Sequence, residues 1–294
     1  MKRAMVIVNP FASAVSEERL AAVEHELRRG GVELTVALTE SRSHATELSH
    51  RLSGVDAVLV YGGDGLLNEV LNGLDANVPV GVLPGGRTNV VARALRLPAD
   101  PVQAASRLLE ARPRRISLGR VNGRRFAFAA GIGFDAELVR RVDERGRRSD
   151  GRRPGDLAFT WEAVKLLAAH RGRYDPALEI AGFGPAAFAL VANADPYSYA
   201  GGRPLRVAPE ARFELGLDLV APKSVDPGSI PRLLAYAFRG RGQERASDIL
   251  YGHDLDRIEV RCERRLPLQV DGEDLGDIER AVFESERDAV SVLA

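Results

Sequence analysis

The stretch DAVLVYGGDGLLNEVLNG (residues 56–73) restricts the fold of this chain more than any other. Its first residues after Asp56 are apolar without alternation, the pattern of a parallel strand covered on both faces. Glycines at 62, 63 and 65 bend the backbone sharply around Asp64. Leu67, Val70, Leu71 and Leu74 then recur at i, i+3, i+4 and i+7, the stripe of a helix seated on a sheet, which predicts that Asn68 and Glu69 lie off the buried face. Strand, glycine turn and helix in that order belong to an α/β fold.

The flanking sequence repeats the alternation. AMVIVN (4–9) reads as a strand, followed by a helix that Ser16 caps and Gly30 and Gly31 end. ELTVALT (33–39) is a strand and His44–Leu52 a polar helix. After the Leu66–Leu74 helix come a strand VPVGVL (78–83), helices near Thr88–Leu95 and Pro101–Ala111, and a strand RRISL (114–118). This predicts an open α/β domain over residues 1–118, with ligands outside the carboxyl ends of its strands.

After Leu118 the texture changes. RFAFAAG, ALEIAG, AAFALVANA, LRVAP, LGLDLVAP, RIEVRC, PLQVDG and AVSVLA are closely spaced strand candidates, interrupted by long helical patterns at Asp156–His170 and Ile230–Phe238. They predict a β-rich sandwich or curled sheet over residues 119–294, whose last residues could pack back on the first domain. The arginine-dense segment 140–156 reads either as a solvated loop or as a patch for anionic lipid headgroups.

Composition excludes several functions. The 41 basic and 41 acidic side chains cancel, so no global field attracts nucleic acid. Lys2, Lys165 and Lys223 are the only lysines, which leaves no phosphate loop of the G-x-x-x-x-G-K type. With Cys262 alone there is no internal disulfide, and no multi-cysteine metal site is read from the sequence. A reducing cytoplasm fits, and neither a signal-peptide core nor a spanning segment is expected.

The strand ends carry the chemistry. Glycines beside Asp64 let a bulky anion approach backbone amides at a helix N-terminus. A carboxylate there must accept a proton or work through a bound cation; a plain Asx-type turn is the other reading. NPFAS (9–13), Thr39 and LPGGRTN (83–89) close three more strands with turns of the same kind. In a doubly wound sheet those ends lie along one edge, where one nucleotide could touch them all.

Four segments together, VYGGDGLLNEVLNG, LPGGRTNVVARALRLP, AGIGFDAELV (130–139) and QVDGE (269–273), resemble the diacylglycerol kinase catalytic-domain family, which is related to sphingosine, ceramide and NAD kinases. The resemblance implies a phosphofructokinase-like nucleotide domain, a β-sandwich and a cleft between them. It implies ATP and Mg2+, and transfer to a lipid hydroxyl at the inner face of the cytoplasmic membrane. Carried over by position, Asn9, Pro10, Ser13, Thr39, Gly62, Gly63, Asp64, Gly65, Asn68, Glu69, Gly85, Gly86, Thr88 and Asn89 line the nucleotide. Asp64 and Glu273 are the catalytic pair, Glu273 as general base. Asp271 is a turn-former or a second catalytic carboxylate. The chain could act alone or as a homodimer.

The sequence departs from the family at three places. Leu66 follows the GGDG turn, as in sphingosine-kinase-like members. Arg87 and Val90 stand where the family has threonine and aspartate in G-T-x-N-D. Glu214 and Leu215 replace two aspartates, one of which holds a structural magnesium in bacterial members, and leucine cannot ligate a hard cation. Two other readings remain open: a soluble kinase of the NAD type, and a binding protein that has lost catalysis.

Overall fold

The structure is a computed structural model and describes residues 1–74, 78–146, 156–200 and 202–294. By packing, the chain divides into two compact units. One comprises Met1–Leu118 with Arg287–Ala294; the other is Gly119–Glu286.

The first unit runs β1 (Arg3–Val8), α1 (Glu17–Arg29), β2 (Glu33–Leu38), α2 (His44–His50), β3 (Ala57–Gly62), α3 (Asp64–Gly73), β4 (Val80–Pro84), α4 (Val90–Ala94) and α5 (Pro101–Glu110), and then enters β5 (Pro113–Val121). All six residues of β3 are buried, as a central strand covered by helices must be. Ser16 caps α1 by accepting the Arg19 amide, and Asp100 caps α5 through Val102 and Gln103. The strands pair in parallel in the order β2-β1-β3-β4, and Val292 near the chain end pairs beside Val80 of β4. The order reverses at β1, so the crevice beyond β1 and β3 is the topological switch point of this sheet.

The second unit contains β6 (Arg124–Phe126), β7 (Ala129–Ile132), α6 (Phe134–Gly146), α7 (Asp156–Ala169), β8 (Leu178–Ile180), β9 (Gly184–Ala186), β10 (Ala189–Ala192), β11 (Ser198–Ala200), β12 (Arg203–Leu205), β13 (Leu217–Pro222), α8 (Ile230–Arg239), β14 (Ile249–Leu255), β15 (Arg257–Val270) and β16 (Glu273–Leu293). Its sheet is antiparallel in the order β14-β13-β10-β7-β15-β16. β15 changes neighbour along its length: Val260–Cys262 pair with β8, and Leu268–Val270 pair with β7. A register shift between Arg261 and Leu266 lies between those two halves. A strand that switches partners at a bulge turns a sheet corner, here around Phe126, Ile132, Val191, Leu219, Val260 and Phe283.

Several expectations need correction. RIEVRC and PLQVDG are one strand, because the bulge in β15 breaks the alternation without ending the pairing. AGIGFDAELV ends in the first six residues of α6, a helix missing from the predicted elements. Its seven residues Arg140–Gly146 are therefore helical, where a loop was expected, and the remainder of the arginine-dense segment, 147–155, lies outside the described residues. Within the described part Arg140 pairs with Asp274 and Asp277, Arg141 with Glu137, and Arg145 with Glu162. These arginines are engaged inside their own unit. α3 begins at Asp64, two residues before the predicted start, and Asn68 is buried at 1% exposure. Its side-chain oxygen accepts a bond from Asn72 Nδ2 at 3.1 Å, which offsets the cost of turning an amide inward.

Candidate active site

The strand registers bring four strand ends to one level. Val8 lies opposite Leu38 and Tyr61, and Gly62 opposite Pro84, so Asn9, Thr39, Gly63 and Gly85 each follow a strand end along the same edge. Backbone bonds extend the ladder past the strands: Asn9 N–H to Tyr61 O at 3.1 Å, Thr39 N–H to Val8 O at 2.8 Å, Gly85 N–H to Gly62 O at 2.8 Å. The NPFAS turn is tied to this edge. Ala14 N–H donates to Gly85 O at 2.9 Å, the Tyr61 hydroxyl donates to Ala14 O at 3.3 Å, and Asn9 Oδ1 accepts the Phe11 amide at 2.9 Å. Pro10 and Ser13 are exposed on the turn, while Thr39 is buried.

The two glycine turns touch backbone to backbone. A Cβ on Gly86 would sit 2.7 Å from the Gly63 Cα, and one on Gly85 would sit 2.9 Å from the Gly62 Cα. Such distances are unattainable, so these positions require glycine for their mutual approach. A Cβ on Gly62 would strike Leu66 at 2.7 Å, because Leu66 folds back over that glycine. The departure at Leu66 therefore has a packing role. Gly65 and Glu69 are half-buried along α3.

Asp64 is the first residue of α3, and its carboxylate reaches across to the next helix. Oδ2 accepts the Val90 amide at 3.0 Å and Oδ1 accepts the Val91 amide at 3.2 Å. These are amides a helix leaves without internal partners, and a negative charge there is favoured by the α4 dipole. Asn89 prepares the position. It adopts φ 48°, and its side-chain amide exchanges bonds with Gly86, accepting from the backbone N–H at 2.9 Å and donating to the carbonyl at 2.7 Å. Thr88 is half-buried and Arg87 exposed in the same turn. Val90 thus contributes its backbone where the family contributes an acidic side chain.

The second unit carries Glu273 at the tip of the β15–β16 hairpin. Val270 pairs with Glu273 across Asp271 and Gly272, whose φ values of 46° and 78° give the turn both positive φ angles of a type I′ hairpin. Asp271 is a turn-former and more. Only 2% exposed, its carboxylate accepts the amides of Ala127, Phe128 and Ala129 at 2.7, 3.0 and 3.2 Å. The hairpin tip is thereby fastened to the β6–β7 turn. Glu273, by contrast, is partly exposed and has Arg124 at 3.6 Å.

Beside the tip lies a polar cluster absent from the sequence-based site. Asp135 Oδ2 accepts the Tyr197 hydroxyl at 2.7 Å and Gln269 Nε2 at 2.6 Å, while Gln269 Oε1 accepts the Gly272 amide at 2.9 Å. Burial pushes the Asp135 carboxyl above the usual range, and the bonds from Tyr197 and Gln269 pull it the other way. Gly131 is small because a Cβ there would lie 2.5 Å from Asp135 Oδ2. No local run marks this cluster, because its members come from α6, the β10–β11 connection and β15.

An open parallel α/β sheet with glycine turns packed at its switch point, followed by an antiparallel β-rich unit, defines the fold class. Residues 3–121 match the diacylglycerol kinase catalytic domain. The chain is 30% identical over 291 residues to a diacylglycerol kinase of Bacillus subtilis (strain 168), across 93% of this chain and 90% of that one. It is 36% identical over 131 residues to a diacylglycerol kinase of Staphylococcus saprophyticus, 42% of this chain and 43% of that one. A crystal structure of a diacylglycerol kinase from Bacillus anthracis str. Sterne shares the fold, with a TM-score of 0.74 at 20% identity over 99% of this chain and 96% of that one. The chain belongs to the diacylglycerol kinase family.

Proposed function

We infer that the protein is an ATP-dependent lipid kinase that transfers the γ-phosphoryl group of ATP to the free hydroxyl of diacylglycerol, giving phosphatidic acid and ADP. The carrying observation is the match over 93% of the chain to a diacylglycerol kinase, which reaches through both units.

In this reading the level edge of the first unit holds the nucleotide. The first amides of α3, which follow the Gly62–Gly63 turn, face the phosphates, and the Gly85–Gly86 turn, its own amides bonded to Gly62 O and Asn89 Oδ1, packs against that turn. Asn9, Pro10, Ser13, Thr39, Thr88 and Asn89 surround the phosphates from neighbouring strand ends, and Glu69 and the inward-turned Asn68 support α3 beneath. Asp64 accepts one α4 amide on each of its carboxylate oxygens. One carboxylate together with substrate phosphates is how Mg2+ is commonly held, so the residues fit an ion that arrives with ATP. Held there beside Asp64, it would supply the positive charge that neutralises the phosphates during transfer. A second, protein-held magnesium of the kind bacterial members hold fits poorly, because the Leu215 side chain cannot ligate a hard cation where those members have an aspartate.

Glu273 takes the acceptor hydroxyl's proton as its oxygen bonds to the γ-phosphorus and the bond to the β,γ-bridging oxygen breaks. The proton then passes to solvent. Tight fastening of the hairpin by Asp271 gives this base a fixed position. No helix among the described residues is long and apolar enough to cross a membrane. In this reading the enzyme works on its lipid as a peripheral protein at the cytoplasmic face of the membrane.

A transfer assay with labelled ATP in mixed micelles tests the reading, comparing diacylglycerol, ceramide, sphingosine, monoacylglycerol and soluble NAD, with and without Mg2+. Label in phosphatidic acid is expected. Label in NAD alone would overturn it.

A further inference from the structure

α8 has a broad apolar arc that its own unit uses only in part. IPRLLAYAFR carries no acidic residue, and none of its 10 residues is buried. Leu233, Tyr236 and Ala237 face inward, where with Phe188, Val220 and Pro222 they line an apolar cavity of about 90 Å³. Leu234 and Phe238, four residues apart, form a second apolar row on the same helix flank. They are 51% and 47% exposed.

The helix is pinned at both ends. Asp226 and Ser229 exchange bonds before it, Gly240 closes it in the left-handed region with its N–H on Tyr236 O at 2.7 Å, and the Arg206 amide donates to Ala237 O at 2.7 Å. Arg232 pairs with Asp248. The outer row is therefore displayed on a fixed element. Its surroundings are basic: Arg239, Arg241 and Arg245 are exposed, and Glu244 is the only acid between Ser229 and Ser247. The chain as a whole has zero formal charge, so the excess is local.

An exposed Leu/Phe row with a flexible cationic rim suits the boundary between headgroups and acyl chains of an anionic bilayer. A second copy of the chain is the poorer partner, because a twofold contact through α8 would set one arginine rim against the other. We propose that α8 docks the protein on an anionic phospholipid surface, Leu234 and Phe238 entering the interface while Arg239, Arg241 and Arg245 meet lipid phosphates. The proposal rests on the lipid-kinase reading for its purpose, but the docking is measurable without turnover.

The test is sedimentation of the full chain with vesicles of phosphatidylcholine, with and without phosphatidylglycerol, alongside turnover on vesicle-borne and on monomeric short-chain diacylglycerol. Wild type should favour the anionic vesicles and release as salt rises. Leu234→Ser with Phe238→Ser should weaken binding roughly tenfold or more. Arg239→Glu with Arg241→Glu should abolish the preference for phosphatidylglycerol, at roughly fivefold per charge. Both variants should keep turnover on the monomeric substrate and lose it on vesicles. Vesicle binding unchanged in the charge variant overturns the proposal, and that variant decides alone should the serine pair fail to fold. A serine pair that converts a dimer to a monomer in ultracentrifugation, with vesicle binding intact, also overturns it. Docking lost in both variants while wild type phosphorylates no lipid would uphold the surface and remove the kinase reading.

Discussion

Asp64 and Val90 are joined by a bond from the Val90 amide to the Asp64 carboxylate, 3.0 Å long, that spans two successive glycine turns. With Val91 on the other oxygen, Asp64 serves two helices: it is the first residue of α3, and its carboxylate accepts the first two amides of α4. A charge in that position organises the turn even before any phosphate arrives.

Replacing Asp64 should therefore fail twice. Asp64→Asn keeps one acceptor but turns an NH2 toward a backbone amide, costing about 1–2 kcal/mol of stability as lost caps do. Phosphoryl transfer should fall on the order of a hundredfold or more, since a charge aimed at the phosphates goes with it. Thermal unfolding and labelled-ATP turnover measured on one preparation separate the two effects. Lower stability with unchanged turnover would make Asp64 a cap alone.

The two carboxylates of the QVDGE hairpin should behave oppositely. Asp271→Asn leaves one of three buried amides facing a donor, and should cost about 2–3 kcal/mol. Glu273→Gln, at a partly exposed position, should leave the unfolding midpoint in place and lower kcat roughly a hundredfold or more by removing a general base. Unfolding curves and kcat for both variants check the contrast. Equal kcat in the Glu273 variant and wild type would remove it from the chemistry.

The glycine turns can be tested by one methyl group. Gly86→Ala places a Cβ 2.7 Å from the Gly63 Cα, a backbone atom and not the end of a flexible side chain. Overpacking of this kind costs about 1–3 kcal/mol. The displaced turns should also raise KM for ATP more than they lower kcat, which initial-rate kinetics over a range of ATP would show. An unaltered KM would mean that the turns do not meet the nucleotide.

Much of this arrangement was legible because it rests on local rules. The unbroken apolar run of β3, the cap at Ser16, and the glycine punctuation at 62–65 and 85–86 each have one dominant physical meaning. What escaped depended on distant partners. Asn68 looked like a solvent-facing residue until Asn72 and the packed turn gave its amide a buried place. Asp271 looked like a turn-former, and only the folded sheet brings Ala127–Ala129, some 142–144 positions away, onto its carboxylate. α6 was hidden because Gly133 and Phe134 continue the apolar texture of β7, so no composition change marks the transition. The cluster of Asp135, Tyr197 and Gln269 joins three segments far apart in the chain and has no local signature at all.

Asp195 offers a pH-dependent test of the second unit. Its side chain is 10% exposed and pairs with Arg206. Burial nevertheless pushes its carboxyl up to about 6, because desolvation outweighs the arginine. A folded pKa above the unfolded value of roughly 3.9 means the folded state holds the extra proton between them. The stability this group contributes is then complete below about pH 4 and is lost as pH rises through about 6. Other carboxylates are shifted as well, Asp135 and Asp218 upward by burial, Asp56 downward by backbone bonds from Arg3 and Lys2, and Glu259 downward by bonds from Arg257 and Arg280. The informative quantity is therefore the difference between wild type and Asp195→Asn. Urea unfolding at a series of pH values should show the variant gaining on wild type by about 2–3 kcal/mol between those limits. A constant difference across the window would show that Asp195 titrates normally, and that Arg206 fully compensates its burial.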